Sequence, residues 1–136
     1  MTPRLFALRR GALILPLVAL VLAACSSDGS ASPGGTATVV DGAVTITADE
    51  LAFDAGTVEA TAGEAFTITL DNVDSVPHNI SVYTEEGGEE IVVGDIIDAG
   101  DSIEVEVPAL EEGTYFFVCD PHTAMNGSVV VTAPSS

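Results

Sequence analysis

The sequence has no lysine, and its three basic residues are arginines near the N-terminus, all within the first ten positions. All 21 acidic residues follow Cys25, so the rest of the chain carries negative charge with no basic side chain to offset it. This balance excludes nucleic acid and anionic lipid headgroups as docking partners. The acidic surface either keeps the protein soluble through self-repulsion or steers it towards a partner with a basic docking face.

Long hydrophobic runs are also scarce. The apolar run at positions 11–24 has 14 residues, fewer than the roughly 18 that a membrane-spanning helix needs. Because arginines precede this run and small residues end it, residues 1–24 are predicted to be a signal peptide. The ending Leu-Ala-Ala-Cys at Cys25 resembles the lipobox of bacterial lipoproteins, which implies an extracytoplasmic protein anchored to the cell membrane by lipid on that cysteine. An ordinary cleaved signal with a cysteine nearby is the alternative.

Cysteine, histidine and methionine occur only twice each. An even number of cysteines in an exported protein first suggests a disulfide, which here would join Cys25 to Cys119. If Cys25 carries lipid, Cys119 is left unpaired in an oxidising compartment. Metal ligation explains such a thiol, because a coordinating thiol is held deprotonated.

The rest of the chain divides into a tether and one domain. Residues 25–36 are rich in glycine and serine, which predicts a flexible tether. In residues 37–133 apolar side chains alternate with polar ones at 44–48, 66–70, 80–83 and 103–107, as in half-buried antiparallel strands. More continuously apolar segments at 115–118 and 128–132 fit central strands, and residues 48–53 could form a short turn. The pattern predicts an all-β fold, a Greek-key β-sandwich of seven to eight strands.

The residues with metal-binding chemistry lie in two stretches. Cys119, His122 and Met125 follow an aromatic-rich strand at positions i, i+3 and i+6, and His78 lies upstream in Val-Pro-His-Asn. Two imidazoles, one thiolate and a weak thioether are the ligands of a trigonal blue-copper centre, whereas structural zinc usually takes four strong ligands. Pro121 fixes its φ angle and turns the chain, which brings His122 back towards the same ion. Taken singly, each of these residues also fits an ordinary role in a loop or in the core.

Cys-x-x-His-x-x-Met after an aromatic strand, with an upstream Val-Pro-His-Asn, resembles the cupredoxin family of small blue copper proteins over residues 39–131. The short ligand loop is similar to that of amicyanins, whereas plastocyanins have two more residues between histidine and methionine. The resemblance implies one copper ion, Cu(I) or Cu(II), bound by His78, Cys119, His122 and Met125. It also implies that Asn79 holds the cysteine loop through its side chain and backbone, with its amide a candidate donor to the sulfur.

The two prolines beside the ligands, Pro77 and Pro121, are expected to support the site. The exposed edge of His122, among Pro77, Pro121 and Ala124, is the expected route for electrons. Together these features predict a monomeric carrier of single electrons between redox proteins, without catalysis of its own. The lipid on Cys25 would be its contact with the membrane.

Three other classes of function remain to be compared with this prediction. A copper oxidase or nitrite reductase needs further copper centres, and the chain has no histidines left for them. A copper-binding or delivery protein is the main alternative, although such proteins commonly have Met-rich or paired-Cys sites and this chain has only Met125 besides Met1. A metal-free, adhesion-like sandwich would leave Cys119 and both histidines unexplained.

Overall fold

The computed structural model describes residues 34–136, in which ten β-strands form two sheets. In spatial order the larger sheet contains six strands: β1 (Gly35–Thr38), β4 (Ala55–Thr61), β10 (His122–Thr132), β9 (Gly113–Cys119), β6 (Ser81–Tyr83) and β7 (Glu90–Val93). The smaller sheet contains four strands: β3 (Ala52–Phe53), β2 (Ala43–Asp49), β5 (Phe66–Asn72) and β8 (Ser102–Val107). Several of the ten are short, which is why the count exceeds the predicted seven to eight.

The core lies between the two sheets and follows the period-two pattern of the sequence. In β5 every second side chain is buried, and Ile68 and Leu70 have no exposed surface. Ile46 on β2 and Val82 and Phe117 on the larger sheet are equally inaccessible and belong to the same cluster of buried residues. Burial of alternate apolar side chains from both sheets stabilises the sandwich. The predicted all-β Greek-key sandwich is confirmed.

The sheets are mixed, so the prediction of antiparallel strands is wrong for three pairs. The pairs β1–β4, β4–β10 and β2–β5 are parallel, and the other five strand pairs are antiparallel. Parallel pairing requires the chain to cross over before it returns, and after β2 it passes through β4 in the other sheet before forming β5. Residue alternation reports which face of a strand is buried, but it does not report strand direction.

The N-terminal boundary of the domain lies slightly earlier than predicted. Gly35 and Thr36, assigned from the sequence to the tether, lie in β1 and pair with β4. Residues 1–33, which include the signal peptide, Cys25 and most of the tether, lie outside the described residues. Within residues 34–136, no helix is long and apolar enough to cross a membrane.

The predicted turn at residues 48–53 is present between β2 and β3. Glu50 and Leu51 both have left-handed backbone angles there, with φ of 47° and 59°. This conformation is unfavourable for residues with a Cβ atom. The two residues form the loop between the paired residues Asp49 and Ala52, and a two-residue hairpin loop commonly has positive φ at both positions.

The segment that follows β5 is held by a buried side chain. Asn72 has no exposed surface. Its amide donates to the carbonyl oxygens of Val76 at 2.9 Å and Asp98 at 3.1 Å, and its own oxygen accepts from the backbone N–H of Asp74 at 3.1 Å. At the far end of the segment, an isolated β-bridge joins His78 to Ile97, the residue that precedes Asp98. Residues 72–78 are thus fixed at both ends.

Gly127 occupies a point in β10 where the two neighbouring strands leave no space for a side chain. A Cβ atom there would lie 2.4 Å from Cζ of Phe117 and 2.5 Å from the backbone oxygen of Gly56. Both distances are too short for a real contact, and the second involves backbone that cannot rotate away. The absence of a side chain lets β10 lie between β4 and β9.

We therefore expect Gly127→Ala to lower the free energy of unfolding by about 1–3 kcal/mol, the usual cost of overpacking. Thermal unfolding of the metal-free protein measures this loss. Gly35→Ala is the control, because a Cβ at Gly35 would meet its nearest atom at 3.9 Å. Equal melting temperatures for the two variants would contradict the close approach described above.

Candidate metal centre

Cys119 and His122 are brought together by a two-residue turn. Cys119 ends β9, Asp120 and Pro121 form the turn, and His122 begins β10. The two residues are direct cross-strand partners, and directly opposed side chains on an antiparallel pair project to the same face. The sulfur of Cys119 and Nδ1 of His122 lie 3.6 Å apart. The spacing of three residues between Cys119 and His122 therefore brings their side chains together because the chain forms a tight hairpin between them.

His78 approaches from the neighbouring segment. It lies in the isolated bridge to Ile97, just before β6. Since β6 pairs with β9, with Ser81 opposite Val118, the histidine is placed next to the end of the cysteine strand. Its ring has no exposed surface, and its Nδ1 lies 3.5 Å from the sulfur of Cys119.

The three donor atoms are spaced as ligands of one ion. Those of His78, Cys119 and His122 all lie within 4.8 Å of one another. With bonds of about 2.0 Å to imidazole and about 2.3 Å to thiolate, nitrogen and sulfur lie about 3.5 Å apart at a tetrahedral angle and about 3.7 Å at a trigonal angle. The observed separations of 3.5 and 3.6 Å fall within that range. The donor set therefore fits a first-row metal without rearrangement.

Met125 lies in the irregular start of β10. The pairing of β10 with β9 is interrupted between His122 and Asn126, so the intervening residues loop out of the ladder. The Asn126 side chain closes this loop by donating to the carbonyl oxygen of Thr123 at 2.9 Å. Met125 is only 2% exposed and belongs to the buried cluster that contains Cys119. The predicted thioether is thus buried in the same core cluster as the cysteine.

The environment of Cys119 holds its sulfur as a neutral thiol unless a cation is bound. The residue is fully buried, and within residues 34–136 it forms no disulfide. Burial raises the pKa of its thiol, while hydrogen bonds from the backbone N–H groups of Asn79 and His122 act in the opposite direction. These N–H groups are donors to a thiolate, and a metal ion supplies the charge that makes the thiolate stable. The donor on Asn79 is therefore its backbone N–H, whereas its side-chain amide donates to Ser81, Gly94 and Asp120 and not to the sulfur.

The side chain of Asn79 joins the two ligand segments. Its oxygen accepts from the backbone N–H of Asp120 at 2.8 Å, and its amide donates to the carboxylate of the same residue at 2.7 Å and to the carbonyl oxygen of Gly94 at 2.9 Å. Asn79 follows the first histidine ligand and Asp120 follows the cysteine. This two-point contact therefore fixes the distance between the two segments, as the sequence resemblance implied.

The carboxylate of Asp120 was missed from the sequence. It accepts from the hydroxyl of Ser81 at 2.5 Å and from the hydroxyl of Tyr83 at 2.8 Å, in addition to Asn79. Partial desolvation acts to raise the pKa of Asp120, but these three hydrogen bonds outweigh it and the pKa is lowered. The same contact raises the pKa of Tyr83. The sequence feature that could have identified Asp120 is an acidic residue directly after the cysteine.

Asp74 is a second missed residue. Its Oδ2 lies 2.9 Å from Nε2 of His78 and accepts from the backbone N–H of Leu51 at 2.8 Å. Its Oδ1 accepts from the backbone N–H of Ser75 at 2.6 Å. The hydrogen bond from Leu51, followed by those from His78 and Ser75, holds the pKa of Asp74 well below its ordinary value. A carboxylate four residues before the histidine was the available signal.

The two prolines named from the sequence border the ligands and are exposed. Pro121 is the second residue of the hairpin turn, and Pro77 immediately precedes His78. Ala124 is also exposed, whereas His122 is half-buried. Among the four ligand residues, His122 is therefore the one with a surface that reaches solvent.

Because Asp120 is the acceptor for two buried donors, we expect Asp120→Ala to destabilise the metal-free protein. Leaving a buried donor without an acceptor costs about 1–3 kcal/mol, and Asn79 and Ser81 are 2% and 0% exposed. Thermal unfolding measures the effect. Asp101→Ala removes an exposed carboxylate elsewhere and serves as the control.

The effect of Asp120→Ala on stability should also depend on pH. Since the folded pKa of Asp120 is lowered, its contribution is complete above the unfolded carboxyl pKa and is lost as pH falls through the folded value. The difference in stability between wild type and Asp120→Ala should therefore shrink on acidification. A difference that stays constant down to pH 2 would contradict an ionised acceptor.

Comparison with known proteins agrees with this geometry. The family model described as a cupredoxin-like domain matches residues 13–131. Amicyanin-alpha of Methylorubrum extorquens is 31% identical over 116 residues, which cover 83% of this chain and 94% of that protein.

Solved structures show the same fold. Reduced auracyanin from the photosynthetic bacterium Roseiflexus castenholzii superimposes with a TM-score of 0.60 at 20% identity, covering 69% of this chain and 99% of that one. The Cu(I) form of an amicyanin variant gives a TM-score of 0.53 at 28% identity, covering 69% of this chain and 86% of that one.

The donor set and the similarity to these proteins together identify the metal. Two imidazoles, a thiolate and a thioether form a type 1 copper site, and His78, Cys119, His122 and Met125 supply them for one copper ion. The chain belongs to the cupredoxin-like family of blue copper proteins.

Proposed function

We propose that this protein carries single electrons between redox proteins outside the cytoplasm. The observation that carries the proposal is the burial of the ligands: His78 and Cys119 have no exposed surface and Met125 has 2%, while His122 is half-buried. A bound copper ion supplies a reversible change of one electron. A site closed in this way leaves an edge through which an electron can pass, but no open coordination position for a substrate.

The protein matrix supports rapid exchange because it holds the ligands in one arrangement. Cys119 and His122 are fixed by strand pairing, and His78 by a backbone bridge and a hydrogen-bonded ring. Ligands that cannot move relative to one another need little rearrangement when the charge of the ion changes. The protein has no catalysis of its own in this proposal, and both of its histidines belong to the copper centre.

The proposed location and partners rest on the sequence. The signal peptide at 1–24 and the lipid on Cys25 would place the domain at the outer surface of the cell membrane, with residues 25–36 as its connection. All 21 acidic residues follow that cysteine, with no lysine or arginine among them. A redox partner with a basic docking face fits this charge, and the same charge opposes self-association, which favours a monomer.

The copper-loaded protein should be intensely blue and should lose its colour reversibly on reduction. The colour arises from charge transfer between the Cys119 thiolate and Cu(II), so Cys119→Ser should abolish it while the fold is retained. Optical titration with Cu(II), followed by voltammetry, makes the measurement. A colourless protein that binds Cu(I) weakly would support copper delivery, the alternative function, and would refute the electron carrier.

The exit route is tested at Ala124, an exposed residue of the ligand loop. Ala124→Glu adds a charge beside His122 and should slow electron self-exchange at least about tenfold, because two like-charged faces must approach each other. Thr132→Glu adds the same charge at the far end of β10 and is the control. NMR line broadening in mixtures of the two oxidation states gives the rates, and equal rates for both variants would exclude this exit.

A further inference from the structure

His78 makes polar contacts through both nitrogens of its ring. Its Nδ1 faces the sulfur of Cys119 at 3.5 Å, while its Nε2 lies 2.9 Å from Oδ2 of Asp74. The histidine side chain has no exposed surface and that of the aspartate has 9%. We propose that Asp74 is a positioning residue of the copper centre, which fixes the tautomer of His78 and favours Cu(II) over Cu(I).

The tautomer follows from the chemistry of the pair. An ionised carboxylate can only accept hydrogen bonds, so the proton of a neutral His78 lies on Nε2. The lone pair of Nδ1 is then directed towards the sulfur of Cys119 and the metal. A carboxylate on the remote nitrogen of a histidine ligand fixes the ring orientation and raises the basicity of the ligand.

The charge of Asp74 acts on the oxidation state of the ion. No lysine or arginine occurs in the part of the chain that the structure describes, so no cationic side chain of this domain offsets that charge. A negative charge that is largely buried away from solvent interacts more strongly with a nearby cation than one in water does. It stabilises the more positive ion, Cu(II), and therefore lowers the reduction potential.

The strained turn after β2 gives this carboxylate a fixed position. The backbone N–H of Leu51 donates to the oxygen that contacts His78, at 2.8 Å. Leu51 and Glu50 adopt left-handed φ angles of 59° and 47°, although neither is glycine. Leu51 is 55% exposed, so burial of its side chain does not account for the conformation. The two residues form the loop of the β2–β3 hairpin, and a two-residue hairpin loop commonly has positive φ at both positions. The hydrogen bond to Asp74 holds this loop in place.

The second oxygen of the carboxylate is held from the other side. Ser75 donates to Oδ1 of Asp74 through its backbone N–H at 2.6 Å and its hydroxyl at 3.3 Å. The carboxylate of Asp74 is therefore held by two chain segments, the turn after β2 and the segment after β5, and it in turn contacts His78. The contacts from Leu51 to Asp74 and from Asp74 to His78 form a connected path from the surface to the copper ligand.

Two substitutions separate the hydrogen bond from the charge. Asp74→Asn keeps an oxygen that can accept from His78 and Leu51 but removes the charge, whereas Asp74→Ala removes both. Asp49→Asn is the matched control, because Asp49 is an exposed carboxylate close to the same turn. The measurements are the exchange rate of the His78 Nε2–H in the metal-free protein, the affinity for Cu(II) and the reduction potential.

We expect Asp74→Ala to expose the Nε2–H to rapid exchange and to weaken Cu(II) binding by about 10–100-fold, as for other residues that orient a metal ligand. Asp74→Asn should keep the proton protected and shift the reduction potential to a more positive value than Asp49→Asn does. Equal potentials for these two Asn variants would overturn the effect of charge. A protected Nε2–H and unchanged affinity in Asp74→Ala would overturn the positioning role.

Leu51→Gly tests the turn without removing the donor. Glycine adopts the left-handed conformation readily, so this variant should be more stable than wild type and should have the same reduction potential. A potential that shifts as far as in Asp74→Asn would contradict the assignment to the carboxylate. The proposal depends on the copper centre and not on the electron-carrier function, since proton exchange and Cu(II) affinity are measured without any redox partner.

Discussion

The cross-strand pairing of Cys119 with His122 is the constraint on which the metal centre depends. A turn of only two residues, Asp120 and Pro121, forces these side chains onto one face. Each is held by a backbone that belongs to the larger sheet, so neither can withdraw without breaking the pairing of β9 with β10. His78 can then complete the set because β6 lies directly beside β9.

Polar contacts between buried groups extend this constraint beyond the hairpin. Asn79 and Asp120 are adjacent to His78 and Cys119 in the sequence, and they bond to each other at two points. In the described residues, every buried side-chain nitrogen and oxygen atom has a hydrogen-bond partner. A fully satisfied polar network is stiff, so the donor atoms keep their spacing without help from the ion. The protein, and not the metal, sets the coordination geometry.

The sequence predicted the fold and the ligands better than the contacts around them, for a physical reason. Period-two burial and the spacing from Cys119 to Met125 are local patterns, so β2, β5, β8 and the hairpin could be identified. The parallel pairs depend on where the chain crosses between sheets, which local alternation does not encode. β4 was missed because its small residues give a weak pattern. Asp74 and Asp120 were missed because an acidic side chain near a ligand is normally solvated in so acidic a chain.

The distance along the chain between the ligands determines when the protein can acquire copper. His78 and Cys119 are 41 residues apart, and they meet only after β6 has paired with β9. A partly folded chain can therefore offer Cys119 and His122 as a two-donor site of low affinity, but not the complete set. Because the ion binds the native state more tightly than the unfolded one, it also stabilises that state by mass action. Copper should consequently enter an already assembled sandwich.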